Sequence, residues 1–485
     1  MIQAHRGFTR TARAAGLLIA ALAMLVSCGS SGADRNPSTL AGGQEMAASV
    51  SQHGITWYFD QEYRVGRYAN GDWWVLGPVT ITGITPESAQ VDGKWQHGTQ
   101  VDPAADGNRS KHGYDERAHS NSYNDTLNVD PGRTGEPLSL STGSVVKAIS
   151  LYPLPDGHHS SGTRIDDLAI LTVVENVPPA GAFRPAPWAE SKVSLWTESQ
   201  LDYGVLQNLE PVEGAPDLAQ RSERMLRFWN EQFAGTWTQT AVKARNNQPG
   251  YGTNQARELG DAALLLHLNF SKDEKRDLFV GMVQHGLDIY ERSVVGGRWW
   301  SDGGWNHGRK FPMLLAGLAL NDSAILYQAD RETAGRNHFQ EDGSTFIVNQ
   351  AQIDLDDDRC GSYTQEHLGL PEWSTRYWED YDDGTGISMR SDRSRCPYAS
   401  WRASYRYVGN QYVTHALATR LTSGAQAAWN WQPFFDYADR VVENGGAPGY
   451  GLTAFGRNMW SAYRYSDHVS AKGMEQPRAP IVFVD

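Results

Sequence analysis

Apolar and polar residues alternate along the first part of the chain and give way to a period near 3.6 in the second. This switch divides the sequence. Ile55 to Asp60, Tyr63 to Tyr68, Asp72 to Leu76 and Val79 to Ile84 read as half-buried strands, with Asn70-Gly71 as a tight hairpin turn. Val145 to Tyr152 and Leu168 to Val174 are further strands, the second apolar enough for a sheet covered on both faces. Between them Asp102 to Gly143 is rich in Asp, Asn, Ser, His and Gly. It predicts a long loop whose Lys111 to Tyr114 and His119 to Asp125 project over a neighbouring domain. The pattern predicts an all-β domain, a β-sandwich, over residues 52–210.

Past the Pro/Gly-rich stretch Pro211 to Pro216, Leu218, Ser222, Met225, Leu226, Trp229 and Phe233 fall on one helical stripe. Ala256, Leu259, Ala263, Leu266 and Leu268 mark a second helix, with Asn254 as its expected N-cap. Ser271 and Glu274 form a capping box for a third, whose buried face carries Leu278, Met282, Val283, Leu287 and Tyr290. Phe311 to Leu326, Gln411 to Leu421 and Gln432 to Val442 are further helices. Such helices joined by long, aromatic-rich loops predict helix pairs arranged in a ring, an α/α toroid over residues 211–485. The expected class is therefore multidomain β + α.

The first 27 residues stand apart from the fold. Arg6, Arg10 and Arg13 head the apolar run Ala14 to Val26, which is too short to span a bilayer. Leu25-Val26-Ser27-Cys28 then resembles the lipobox of bacterial lipoproteins, which implies lipidation of Cys28 and anchoring to a membrane rather than passage through it. Residues 28–51, small and polar, are expected to be a flexible tether, and the expected location is the cell envelope, at the outer membrane or in the periplasm. Cys360 and Cys396 are left, and outside the reducing cytoplasm they are expected to form a disulfide. Loss of three arginines with the leader deepens the formal charge from -13 to -16, which argues against nucleic acid as a partner.

Seventeen tryptophans and 21 tyrosines, set mainly in polar, Gly-rich surroundings, offer flat faces with polar tips for sugar rings. The densest such stretch, Gly296 to Leu320, gathers Trp300, Asp302, Trp305, Asn306, His307, Arg309 and Lys310 ahead of a buried helix. Over roughly Ile55 to Asp467 the chain resembles, in architecture and loop style, bacterial polysaccharide-cleaving enzymes that join a β-sandwich to an α/α toroid. No catalytic residue is carried over from that likeness.

Three more stretches are expected to converge with this loop: Tyr251 to Asp261 with Asn254, Arg257 and Glu258; Gln365 to Trp378 with Glu372, Trp373 and Arg376; and Trp401 to His415 with Tyr405. The leading expectation is a glycoside hydrolase. Glu372 between Pro371 and Trp373 is the protonated acid, Asp302 its ionised partner, and Glu258 a further carboxyl. The alternative is a polysaccharide lyase acting on a uronate polymer by β-elimination. Asn254, Asn306 and Arg309 would neutralise the uronate, His307 would be the base, and Tyr405 or Tyr251 the acid. Tyr251, Asn254, Arg257, Trp300, Trp305, Asn306, Arg309, Lys310, Trp373, Arg376 and Trp401 are the expected substrate contacts. A third reading is a non-catalytic glycan-binding lipoprotein using the same aromatics. No cofactor is expected. The run Asp354 to Asp358 admits calcium but lacks the glycine and terminal glutamate of an EF-hand.

Overall fold

The sheet begins earlier than the sequence pattern indicates. Strand β1 (Glu45–Gln52) lies at the end of the stretch expected to be tether and pairs antiparallel with β2 (Ile55–Arg67), Gln52 opposite Ile55 and Glu45 opposite Val65. Within it Val50 alone is buried, so backbone pairing holds a strand that shows no apolar face. The computed structural model describes residues 44–103, 111–119, 121–155, 162–235, 238–301, 303–335, 337–350, 353, 364–373, 409–443 and 452–469. In β2, Ile55, Trp57 and Phe59 turn inward while Tyr58 and Asp60 stay exposed. Tyr68 to Asp72 close the expected tight turn into β3 (Trp73–Leu76). Next come β4 (Val79–Thr85), the hairpin β5 (Ala89–Val91) and β6 (Lys94–Gln96), β7 (Thr99–Val101), β8 (Leu138–Leu140), β9 (Gly143–Ser150) and β10 (Ile165–Val174).

Eight of these strands join in one curled sheet ordered β7-β9-β10-β3-β2-β4-β8, with β1 also on β2. The apolar run Leu168 to Val174 is buried throughout, as its composition predicts. Val145, Ala169, Leu171 and Val173 pack with Trp57 and Ile81 on one face of the sheet. Val146, Ala148, Leu168 and Ile170 pack with Trp188, Phe228 and Val242 on the other. The long loop does reach across: the Tyr114 hydroxyl donates to Gln232 (3.0 Å), and Gln232 donates to the Lys111 carbonyl (3.2 Å).

The C-terminal region is helical. Helix α1 (Leu218–Leu226) starts at Asp217, whose side chain accepts from Gln220 N–H, and ends where Arg227 becomes extended. Trp229 and Phe233 therefore lie outside the helix expected to carry them. α2 (Gly252–Leu266) begins one turn earlier than expected, with Tyr251 rather than Asn254 at the N-cap. Gly252 permits this, since a Cβ there would sit 1.8 Å from the Trp305 carbonyl oxygen. α3 (Lys272–Val294) has the Ser271/Glu274 capping box. The expected helix from Phe311 to Leu326 is two: α4 (Lys310–Ala319), then Ser323–Ala329, whose first amides Asp322 caps after Asn321 turns left-handed at φ 50°. α5 (Gln340–Ser344), α6 (Gly409–Leu421) and α7 (Gln432–Glu443) complete the elements used below. A two-stranded ribbon of β11 (Thr345–Ile347) and β12 (Pro371–Trp373) sits against α7.

Arg184 ties the sheet to the helices. It is buried, donating to Asp72 ahead of β3 (2.7 Å) and to Asp288 on α3 (2.6 Å). The Gln284 side chain accepts from Arg184 N–H and donates to its carbonyl, both at 2.9 Å. Removing one partner from a buried network leaves a charge without compensation. Arg184→Met is expected to destabilise the chain by about 3–5 kcal/mol in urea unfolding. A loss below about 1 kcal/mol would show that the tie contributes little.

Candidate functional site

The loop from Gly296 to Arg309 runs between α3 and α4 and is fixed by the segment 337–341 beneath it. The Trp299 amide donates to the His338 carbonyl (2.7 Å), and its ring lies parallel to Phe339 with centroids 5.7 Å apart. Ser301 donates twice to Asn337 Oδ1 (3.0 Å each), and the Asn306 amide donates to Gln340 Oε1 (3.0 Å). The Gly308 amide donates to Glu341 Oε1 at 2.6 Å. Gly308 has φ +88°, and a Cβ there would meet the α2 backbone at Ala256 Cα within 2.8 Å, so glycine lets the loop lie directly on the helix.

Under the loop is a buried ion pair. Arg309 donates from Nε and Nη2 to Glu231 Oε1 (3.2 and 3.0 Å), and both side chains have no exposed surface. Arg309 also donates to Gln255 Oε1 and to the His307 carbonyl, and Trp299 Nε1–H donates to Glu231 Oε2 (2.9 Å). Burial opposes ionisation of Glu231, yet Arg309, Lys243, His285 and the Trp299 N–H together hold its pKa down at about 2. Lys243 donates to Gln239 (3.1 Å), while burial and Arg309 push its pKa well below the usual lysine value.

Over this base lies a group with open valences. His307 Nε2 is 3.0 Å from the Gly303 carbonyl and 3.0 Å from Gln340 Nε2, and Nδ1 has no partner. Burial lowers the His307 pKa to about 3, so the ring is neutral; in the tautomer whose Nε2–H donates to Gly303, Nδ1 is a bare acceptor, and in the one whose Nε2 accepts from Gln340, Nδ1 carries the proton. Glu341 is buried, which pushes its pKa up to about 7, and its Oε2 has no partner. The ring of Tyr412 on α6 lies 5.0 Å from that of His307. Burial keeps this phenol protonated, and its oxygen accepts from Trp373 Nε1 (3.2 Å). A neutral imidazole and a protonated phenol thus lie side by side, and a carboxyl poised near neutrality is hydrogen-bonded to the backbone of the residue after the imidazole.

The expected site residues divide by depth. His307, Asn306, Arg309 and Lys310 are buried. Tyr251, Asn254, Arg257, Trp300 and Trp305 are half-buried on the adjoining helix start and loop. Asn306 accepts from Gln239 (3.0 Å) and donates to the Trp300 carbonyl (2.8 Å), and Lys310 donates to Asp342 (2.5 Å) and to the Trp429 carbonyl (2.7 Å). Asn306, Arg309 and Lys310 thus hold the scaffold rather than a substrate. Glu372 faces away from this group: Trp373 turns to Tyr412, and one residue earlier on β12 Glu372 pairs with Arg440 at 2.5 Å. Glu258 pairs with Arg221 (3.0 Å) and Arg224 (2.7 Å) at a surface cleft. Asp302, Tyr405, Arg376, Trp401, Cys28, Cys360, Cys396 and the acidic run Asp354–Asp358 lie outside the described residues.

Glu341 and Glu231 carried no sequence expectation, and Tyr412 was only one of the aromatics in its stretch. The usable sign was Phe339-Gln340-Glu341-Asp342-Gly343, charge enclosed between an aromatic residue and the apolar Phe346-Ile347-Val348. Among the described residues no helix is long and apolar enough to cross a membrane, and no three His, Cys, Asp or Glu side chains are grouped to hold a metal ion. No protein-family model matches the chain, and neither do any curated proteins or solved structures.

The buried histidines set the pH dependence of stability. Desolvation lowers His97, His112, His338 and His415 to about 4 and His267, His285 and His307 to about 3, from an ordinary 6.5. Below pH 6.5 the unfolded chain takes up protons that the folded chain refuses until pH 3–4, so stability falls as pH falls through that window. Glu341 and Glu291, raised to about 7, and Asp261 and Asp288, raised to about 6, oppose this by favouring the folded state at lower pH. The histidines outnumber them. Thermal unfolding is expected at a lower temperature at pH 5 than at pH 7, and an equal or higher midpoint at pH 5 would contradict the assignment.

Proposed function

We propose that this chain is a lipid-anchored enzyme of the cell envelope that cleaves the glycosidic bonds of a polysaccharide, in a sandwich-plus-toroid arrangement, as a glycoside hydrolase. One observation carries the reading: Glu341 is a buried carboxyl, poised at about 7, with one oxygen on the Gly308 amide next in chain to the neutral His307 and the other unpartnered. Hydrolysis needs an acid that keeps its proton near neutrality, and burial supplies that property to Glu341. It replaces Glu372, which is engaged with Arg440, as the proton donor to the glycosidic oxygen. Asp302 remains the proposed second carboxylate; its chain neighbours Ser301 and Gly303 are held by Asn337 and by Gln340 and His307. Tyr251, Trp300 and Trp305 are the proposed aromatic rim, and Cys28 the proposed anchor.

The pairing of His307 with Tyr412 favours a second reading, β-elimination. There Nδ1 removes the proton beside a uronate carboxyl and the Tyr412 phenol protonates the leaving oxygen. Assay against neutral and uronate polysaccharides separates the two, because elimination creates ultraviolet-absorbing unsaturated ends and hydrolysis does not. Glu341→Gln keeps an acceptor for Gly308 N–H and is expected to lower kcat about 10²–10⁴-fold without absorbing product. Loss of all turnover in His307→Gln, with wild type making absorbing ends, would instead establish elimination. Full activity in Glu341→Gln, or no cleavage of any polysaccharide by the wild type, would overturn the hydrolase.

A further inference from the structure

The cleft at Glu258, of about 420 Å3, opens between α1, α2 and the turn at residues 244–247. Its lining includes Arg221, Arg224, Arg227 and Arg245 against the carboxylates Glu223 and Glu258. Four guanidinium groups at one place are unexpected on a chain of formal charge -13. Their side chains are 21%, 34%, 19% and 44% exposed, so each keeps some surface toward solvent.

Carboxylates hold these arginines in place. Glu258 takes one contact from Arg221 and one from Arg224 Nε. Asp167 and Glu223 hold Arg227, and Asp166 holds Arg245 through Nε. Arg224 Nη2 donates to the Arg245 carbonyl (3.3 Å). A guanidinium has five N–H donors in a rigid fork, and the contacts named leave much of each fork for a planar oxyanion. Ion pairs that fix the forks in advance reduce the entropy lost on binding.

The cleft also adjoins the rim of the proposed site. Glu258 is seven residues after Tyr251 on α2, about 10 Å along the helix axis. Arg257 lies between them, and both Arg221 and Arg257 act on Asp261 one turn further on.

We propose that this cleft binds the carboxylate groups of an acidic polysaccharide, so that the polymer reaching the rim at Tyr251, Trp300 and Trp305 is a polyuronate. The choice of substrate class rests on the enzymatic reading above; the binding site does not. A phosphate-bearing ligand shares the oxyanion chemistry and is distinguished by the test.

Calorimetry on the purified full chain would compare oligogalacturonate, a neutral cello-oligosaccharide and inorganic phosphate at low and high salt. Arg224→Gln/Arg245→Gln keeps Arg221 on Glu258 and changes the two most exposed arginines. The double variant is expected to bind oligogalacturonate at least about tenfold more weakly, and the wild-type affinity is expected to fall with salt. Far-ultraviolet circular dichroism and the thermal midpoint confirm that the variant is folded; if it is not, Arg245→Gln alone is read the same way. Equal binding by wild type and variant, or phosphate binding as tight as oligogalacturonate, overturns the cleft assignment. Cleavage of neutral polymers alone overturns it too and leaves the enzymatic reading intact. Variant-sensitive binding of oligogalacturonate with no cleavage of any polymer supports the cleft and overturns the enzymatic reading.

Discussion

The helical region depends most directly on the buried pair of Glu231 and Arg309. It joins four places distant in sequence: the turn after α1, the start of α2 through Gln255, the loop at Trp299, and the entry to α4. Two ions with no exposed surface are stable together only when every strong donor and acceptor is used, and breaking such a pair costs about 3–5 kcal/mol. Because Arg309 also donates to the His307 carbonyl, the pair orients the backbone of the residue above it. The loop is therefore held from below by this pair together with Trp299, which donates to Glu231 and stacks on Phe339.

The same dehydration divides the ionisable groups. Glu231 has a guanidinium, an indole N–H and a nearby lysine, and remains charged to about pH 2. Glu341 is pushed up to about 7 by burial, opposed chiefly by backbone amides, its own and that of Gly308. Two equally buried glutamates, each reached from the loop between α3 and α4, thus depart in opposite directions, because only Glu231 has charged partners strong enough to overcome burial. Separation of this kind assigns one carboxyl to structure and makes the other available for chemistry. His307, neutral and tied through Nε2, belongs with the second.

Much of the fold is legible in the sequence where burial is one-sided or complete. The alternation at Ile55 to Phe59, the apolar run at Leu168 to Val174 and the Ser271/Glu274 capping box each became the element they indicate. Strand β1 is not legible because Glu45 to Gln52 buries only Val50 and is otherwise held by backbone pairing with β2. The α2 boundary was missed because Gly252 is set by contact with Trp305, which is distant in sequence. At the site, the clustering of His307 with its loop was readable, but the division of labour was not. Arg309 and Asn306 look like ligand-binding groups until Glu231 and Gln239 occupy them. Glu372 and Trp373 are adjacent in sequence and face opposite ways, a consequence of strand geometry visible only once β12 is paired.

Dehydration beneath one loop holds Glu341 partly protonated at neutral pH. Carbon-13 carboxyl titration of the chain, with the Glu341 resonance assigned by its loss in Glu341→Gln, tests this most directly. The account predicts a midpoint near 7, well above that of an exposed glutamate. A Glu341 midpoint between about 4 and 4.5, the range of a solvated side chain, would contradict it.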